Sequence, residues 1–404
     1  MRFTSALVLG CIGVLLGLGS LRPANAQFLQ TAFEFQTFQP HPYVHALGNA
    51  TVAARGYPGA IGMNPATIGT AGDVRIGSNV NLRQGPVYSS PWILSEIAPE
   101  LWITAPSGSV KMGRWAAGVQ VKHFSLGSTE IRSPDGDVLR TTDSYQQSIK
   151  FATAFEATPH FTVGGGVNLI RSRLGAQNSD DTKVHPAVDL GIQYQTRVEQ
   201  GLVTLRPALG LSLTDFGGNV SYKNQRGDSP VPTMIRGGGA LQIVSQSRQL
   251  ARPEWRIALF GALSNRLVSG EYVEDDGGTY FEADGPFTAL INGWRSAKGI
   301  VGPPGEQETV GPWERITKHV GIEMSVLDVF SLRLGRFHES DELKGWQYTA
   351  LGFGLDAYYV SLDASWTLEN EEPFQQFSYG RLTVRIPLSD SPRNFWPALL
   401  GNGK

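Results

Sequence analysis

The stretch Tyr358-Tyr359-Val360-Ser361-Leu362-Asp363-Ala364-Ser365-Trp366-Thr367-Leu368 alternates without a break. Tyr358, Val360, Leu362, Ala364, Trp366 and Leu368 form one apolar set, separated by Tyr359, Ser361, Asp363, Ser365 and Thr367. Successive side chains of a strand point to opposite faces, so the segment predicts a sheet with one apolar and one polar face. The last such segment repeats the pattern, with Leu382, Val384, Ile386 and Leu388 set against Arg381, Thr383 and Arg385.

Working outward, comparable segments fall near 73–84, 99–107, 113–125, 142–156, 159–173, 184–197, 202–214, 233–244, 254–268, 313–326, 329–338, 346–356, 357–368 and 376–388. Many exceed the ~5–6 residues of an ordinary globular strand and suit the ~9–11 that a tilted strand needs to cross a bilayer. The joins alternate in length. Those at Ser107–Met112, Ala157–Thr158, Val198–Gly201, Leu327–Asp328 and Asp356 are short, whereas 85–98, 126–141, 174–183, 215–232 and 269–312 are long. Joins 245–253 and 339–345 fit the alternation less well. Short turns on one side and long loops on the other characterise a transmembrane β-barrel, and an even strand number returns both ends to the short-turn side. Trp102, Trp115, Trp255, Trp313, Trp346 and Trp366 fall at strand ends, where interfacial aromatic girdles lie. The expectation is an all-β transmembrane antiparallel barrel of about 14 strands over 73–388. A soluble β-sandwich or propeller with one wet face is the competing architecture.

Composition narrows the function classes. The 404 residues are 41% hydrophobic and 17% charged, with a formal charge of −2. Mean hydropathy is −0.15. This balance argues against a basic nucleic-acid-binding domain, an acidic disordered tail and a helical membrane protein. Glycine supplies 48 of the 404 residues, about 12% against roughly 7% in an average protein. The one cysteine, Cys11, argues against a disulfide scaffold.

Residues 1–26 carry Arg2, an apolar run from Ala6 to Leu21, and the small-x-small pattern Ala24-Asn25-Ala26. These features predict a cleavable export signal. A membrane anchor and, from Val8-Leu9-Gly10-Cys11, a lipoprotein site are the alternatives. Cleavage would remove Arg2, Arg22 and Cys11, leaving a cysteine-free chain of charge −4.

Residues 27–72 do not alternate cleanly. They contain Ala46-Leu47-Gly48-Asn49-Ala50-Thr51-Val52-Ala53 and then, after Gly56-Tyr57-Pro58-Gly59-Ala60, the run Asn64-Pro65-Ala66-Thr67-Ile68. Asn-Pro initiates a turn, because Asn bonds nearby backbone and Pro fixes φ. Small residues allow close packing, so this segment is expected to fold into the lumen as a plug. The alternative is an N-terminal strand with a loop.

The stretch ALGNATVAARGYPGAIGMNPATIG, followed by about fourteen strands, resembles the FadL-type and PorV/PorQ-type outer-membrane proteins. The resemblance implies an N-terminal hatch inside the barrel, with Gly48, Asn49, Asn64, Pro65 and Ala66 close to any ligand. Two departures stand out. Arg55-Gly56-Tyr57-Pro58 occupies the place of the usual acidic pair, and residues 389–404 continue past the last strand. That tail, with Phe395, Trp396, Leu399 and Leu400, is a candidate contact for a periplasmic partner.

Signals for catalysis are weak. Gly227-Asp228-Ser229-Pro230 imitates part of a nucleophile elbow, but the full Gly-x-Ser-x-Gly is absent. His41 and His45 have a helical metal-ligand spacing, which Pro40 and Pro42 disrupt. No catalytic residue, metal or cofactor is expected. The join 269–312 holds Glu271, Glu274, Asp275, Asp276, Glu282 and Asp284 with no base before Arg295. Such a loop either binds Ca²⁺ or is simply solvated. Glu271, Glu274, Asp275, Asp276 and Trp294 are the residues expected to meet a partner or gate the outer mouth. Gly164–Gly166 and Gly237–Gly239 either open the wall or relieve crowding.

Two functions follow from the resemblance. One is passive transport of hydrophobic, fatty-acid-like small molecules across the outer membrane. The other is a structural role in type IX secretion, holding an exported cargo protein at the surface. Either places the chain among outer-membrane lipids and leaves nucleic acid out.

Overall fold

Val360–Glu369 is a strand, and the outward members of its alternation, Leu362, Trp366 and Leu368, are 51, 38 and 51% exposed while Ser365 is fully buried. Apolar side chains outside and polar ones inside invert a soluble core, and this inversion recurs around the molecule. The computed structural model describes residues 26–27, 31–57, 59–68, 73–81, 101–133, 137–173, 184–222, 227–245, 253–275, 278–301, 307–340, 346–357, 359–369 and 378–387. The expected tail 389–404, and the expected signal up to Asn25, lie outside these residues.

Fourteen strands form the wall. They are β1 (Asp73–Asn81), β2 (Ser107–Met112), β3 (Trp115–Arg132), β4 (Val138–Glu156), β5 (Phe161–Arg173), β6 (Val184–Gln195) and β7 (Val203–Gly217). They continue as β8 (Met234–Ser245), β9 (Trp255–Arg266), β10 (Ile316–Val326), β11 (Phe330–His338), β12 (Gln347–Asp356), β13 (Val360–Glu369) and β14 (Ser378–Pro387). Each pairs antiparallel with its neighbours in sequence, and β14 pairs with β1 over Asp73↔Pro387 to Asn81↔Tyr379. With β7–β8 paired over twelve positions, every strand has a partner on both sides, and the ladder returns to its start. Closure removes the edges that an open sheet would expose.

Two details differ from the sequence reading, and a third decides between its alternatives. Ser107–Met112 is strand rather than turn, and the chain reverses at Gly113-Arg114, where Gly113 has φ 59°. The preceding piece Leu101–Thr104 pairs with the same strand, and the ladder breaks only at Ala105-Pro106, where proline lacks a donor. The join expected over 126–141 is mostly ladder, because β3 and β4 run on to Arg132↔Val138. Finally, Gly164–Gly166 and Gly237–Gly239 sit in ladders with no shift of register, so they open no gap in the wall.

The outward face is apolar over many strands: Phe151, Leu190, Leu209, Met324, Phe353 and Leu382 are all 49% exposed or more. A soluble surface rarely shows apolar patches beyond a few hundred Å², whereas a lipid-facing barrel carries a continuous band. Trp102, Trp115, Trp313 and Trp366 are exposed as girdle residues should be, but Trp346 turns inward. No helix among the described residues is long and apolar enough to cross a membrane.

The long join between β9 and β10 is structured. It forms a hairpin (Gly270–Asp275 with Gly278–Ala283), a short helix, and a ribbon of Ala297–Val301 with Gln307–Val310.

Candidate functional site

Residues 31–57 and 59–68 contact strands on opposite sides of the ring. The segment holds helix α1 (Pro42–Ala46) and three single 3₁₀ turns, one of them Pro65–Thr67; the join helix is α2 (Pro286–Asn292). Asn64 caps the Pro65–Thr67 turn: its Oδ1 accepts from the Ala66 N–H at 3.0 Å. Its Nδ2 donates to the carbonyls of Val52 at 2.9 Å and Ile192 at 3.1 Å, so one amide joins two parts of the segment to β6. Pro65 pre-sets the turn, as the Asn-Pro pattern predicts. The wall makes room for it with glycine. A Cβ on Gly164 would lie 2.4 Å from the Ala66 nitrogen, and one on Gly191 would lie 2.0 Å from Asn64 Oδ1.

The other half of the segment meets the opposite wall. Gly48 and Asn49 take left-handed φ of 60° and 63°, and the Gly48 carbonyl accepts from His319 Nδ1 at 2.9 Å. Gly335 lies against the Leu47–Gly48 backbone. His45 Nδ1 is 3.0 Å from Ser365 Oγ, and its ring stacks on Tyr348 at 4.9 Å. Contacts thus reach β5 and β6 on one side and β10 to β13 on the other, which a segment can make only from within the lumen. Ala116, Ala152, Ala154, Ala240 and Ala258 of the wall pack with Val44, Leu47, Val52, Ile61 and Met63. Small wall residues thus face a small-residue segment, and Gly164, Gly191 and Gly335 are among the glycines this close approach requires.

Several charges inside the lumen are paired with opposite charges. Lys150 bridges Asp189 at 2.7 Å and Asp215 at 3.3 Å, and Arg333 bridges Glu323 at 2.6 Å and Asp363 at 2.7 Å. Buried ions need such partners to offset desolvation. Lys122 donates to the carbonyls of Gln36 and Phe38 at 3.1 and 2.8 Å, which ties the start of the segment to β3. Arg55, standing where the sequence departs from an acidic residue, bonds Glu156 at 2.8 Å. Burial pushes His45 down to about 3 and holds His41 well below the usual imidazole range, with Arg381 and Arg333 adding to the effect at His41.

A cavity of about 100 Å³ remains between the segment and the strand ends on the long-join side. Phe38, Phe337, Trp346, Tyr348 and Tyr379 supply aromatic walls, and Phe337 stacks on Tyr348 with centroids 5.1 Å apart. Asn49, Glu34, Arg236 and Arg266 add polar edges. The volume is of the order of the ~150 Å³ apolar cavity that takes up benzene in another protein. The arrangement can hold a small apolar ring, and on its lining Ser264 Oγ lies 2.8 Å from His319 Nε2, whose Nδ1 is held by the Gly48 carbonyl.

The expected site residues divide. Asn49 lines the cavity and Gly48 adjoins it, whereas Asn64, Pro65 and Ala66 fasten the segment to β5 and β6. Glu271 and Glu274 are exposed on the hairpin, and Trp294 is exposed just after α2. Asp276 and the Asp275 side chain lie outside the described residues. Among the described residues no three His, Cys, Asp or Glu side chains are placed to share a metal ion. Ser229 lies in a backbone bridge with Val220. The cavity aromatics escaped the sequence reading because they come from distant strands. An aromatic residue at an inward position near the long-join end was the available signal.

No protein-family profile and no curated sequence matches this chain. Solved structures that resemble it include two toluene transporters and a FadL homologue. The Pseudomonas putida toluene transporter TodX aligns at 12% identity and TM-score 0.44, over 85% of this chain and 96% of its own. The Ralstonia pickettii toluene transporter TbuX aligns at 11% and 0.41, over 88% and 98%. A Pseudomonas aeruginosa FadL homologue aligns at 11% and 0.39, over 85% and 98%. These likenesses are weak in identity and superposition, and the barrel assignment stands on the chain's own strand pairing.

Proposed function

We propose that this chain is an outer-membrane barrel that passes small hydrophobic molecules inward without energy input. The observation that carries the reading is the aromatic-lined cavity at the long-join end, set against a lumen filled by residues 31–68. A filled lumen blocks free flow of water and ions, so passage depends on binding rather than on a standing pore. An apolar ring or chain gains roughly 25 cal/mol per Å² of apolar surface taken from water. The long joins face outward in this reading, which puts the cavity on the side where a solute arrives. The polar edge of Arg236, Arg266 and Asn49 accommodates a polar end on such a solute, as a fatty acid would carry.

The test is equilibrium binding to the purified, folded protein. Toluene and a medium-chain fatty acid are titrated by calorimetry, with glucose as the hydrophilic control. The reading expects saturable binding of at least one apolar probe and none of glucose. Absence of binding for both apolar probes rejects it.

A further inference from the structure

Helix α2 and the turn after it carry three large apolar side chains that the barrel does not cover. Phe287 and Ile291 stand four residues apart on one side of the helix, Trp294 follows in the turn, and the three are 72, 69 and 45% exposed. The opposite side is packed: Ala289 is buried, and Gly293 is held against Leu267. The helix is fixed to the wall at both ends. The Phe287 ring meets Phe216 of β7 edge-on at 5.2 Å, and Asn265 of β9 donates to the Gly293 carbonyl at 3.1 Å. Asn219 Nδ2 further holds the carbonyls of Ala283 and Asp284, just before the helix.

Register shows which face of the wall this is. Phe216 pairs with Val188, which is 44% exposed on the outward apolar face of β6. Asn265 pairs with Ile316, two positions from the outward pair Leu263↔Lys318. The anchor on β7 is therefore on the outside of the barrel, at the long-join rim, while Asn265 is buried at that rim, where it also borders the cavity. Between these anchors α2 leaves Phe287 and Ile291 exposed beside the outward apolar face.

We propose that α2 is an interfacial helix that seats Phe287, Ile291 and Trp294 in the outer leaflet of the surrounding membrane. A helix with an apolar stripe lying across the strands, at their ends, occupies the headgroup boundary of a bilayer. Its flanks have the matching chemistry. Arg295 and Lys298 are exposed beside it, and Lys318 lies over the exposed Trp313 ring at 5.1 Å. Basic side chains at this depth reach anionic headgroups while their stems stay in the apolar layer. Trp294 donates its indole N–H to the Leu290 carbonyl, so its ring is fixed at the end of the stripe. The inference rests on the reading of the barrel as membrane-spanning.

Single cysteines test it in a Cys11→Ser background, at Ile291, at Leu190 on the wall, and at Glu274 on the hairpin. Each is labelled with an environment-sensitive dye in full-length protein reconstituted into phosphatidylcholine–phosphatidylglycerol vesicles. Quenching by doxyl-labelled lipid is compared with quenching by iodide. The expected result is that dye at Ile291→Cys is quenched by doxyl lipid at least half as strongly as at Leu190→Cys, and is blue-shifted from Glu274→Cys. If iodide reaches Ile291→Cys as readily as Glu274→Cys while Leu190→Cys responds to lipid, the helix faces water and the inference fails. Shielding of Ile291→Cys from both quenchers would mean that protein covers it, which also overturns the inference. Failure of Leu190→Cys to respond to lipid rejects the membrane-spanning reading itself. Phe287→Cys provides a second position on the same stripe if Ile291→Cys does not fold.

Discussion

Asn64 donates to the carbonyl oxygen of Ile192 at 3.1 Å, across 128 residues of sequence, and this bond fastens the lumen segment to the wall. The same amide bonds Val52 and caps the Pro65–Thr67 turn, so a single side chain serves three backbone groups. Asn64→Ala removes the cap and both carbonyl contacts, and it destabilises the docked segment by about 1–3 kcal/mol. Asn64→Asp keeps the cap acceptor but sets a carboxylate against both carbonyl oxygens, so it is at least as damaging. Limited proteolysis of the folded protein checks this. Cleavage within residues 31–68 should rise in both variants while the heat-dependent gel shift of the barrel persists.

Gly164 and Gly165 are adjacent, yet their environments are opposite. A Cβ at Gly164 meets the Pro65–Ala66 backbone, whereas the nearest atom to one at Gly165 is 3.7 Å away. Gly164→Ala should displace the segment and raise ion conductance in planar bilayers, and Gly165→Ala should leave conductance at the parent level. Equal conductance for the two variants would remove the argument that the segment seals the lumen.

The cavity wall gives a third expectation. Phe337→Ala removes one member of the Phe337–Tyr348 stack. The loss of aromatic contact, about 1–3 kcal/mol, corresponds to roughly 5-fold to 150-fold weaker binding of toluene. Calorimetric titration of parent and variant measures it directly.

Acid should loosen the segment before neutral pH does. His45 is buried and its folded value lies near 3, below the ordinary 6.5, so the unfolded or undocked chain binds the extra proton. Its contribution is fully present above about pH 6.5 and is lost as pH falls from there towards 3. At pH 5 the deficit from this one group is about 2 kcal/mol. The thermal midpoint should fall between pH 7.5 and pH 5, and His45→Gln should flatten that dependence.

The strands were legible because each is a run of period-two alternation, and thirteen of the fourteen expected segments became wall strands. The exception is 99–107, which forms the separate piece Leu101–Thr104, while the expected turn Ser107–Met112 is the wall strand. The 126–141 stretch was misread because its polar residues, Ser128, Thr129, Thr141 and Asp143, look like loop yet pair across β3 and β4. β-Branched residues tolerate an extended ladder whether or not lipid covers it. The lumen segment was legible in its turn chemistry at Asn64-Pro65 but not in its docking, because the partners Gly164, Gly191, His319 and Ser365 are far away in sequence. The bulge at Asp215, with φ 57° and its N–H on Asp189, had no local signal either, since it depends on an ion pair formed between strands.

Uptake by whole cells tests the central claim most directly. Radiolabelled toluene is offered at low concentration to Gram-negative cells with and without the protein, alongside Asn64→Ala and Phe337→Ala. The account predicts faster entry with the parent protein, slower entry with Phe337→Ala, and no change in glucose entry with the parent. Toluene entry at the same rate with and without the folded protein would contradict it.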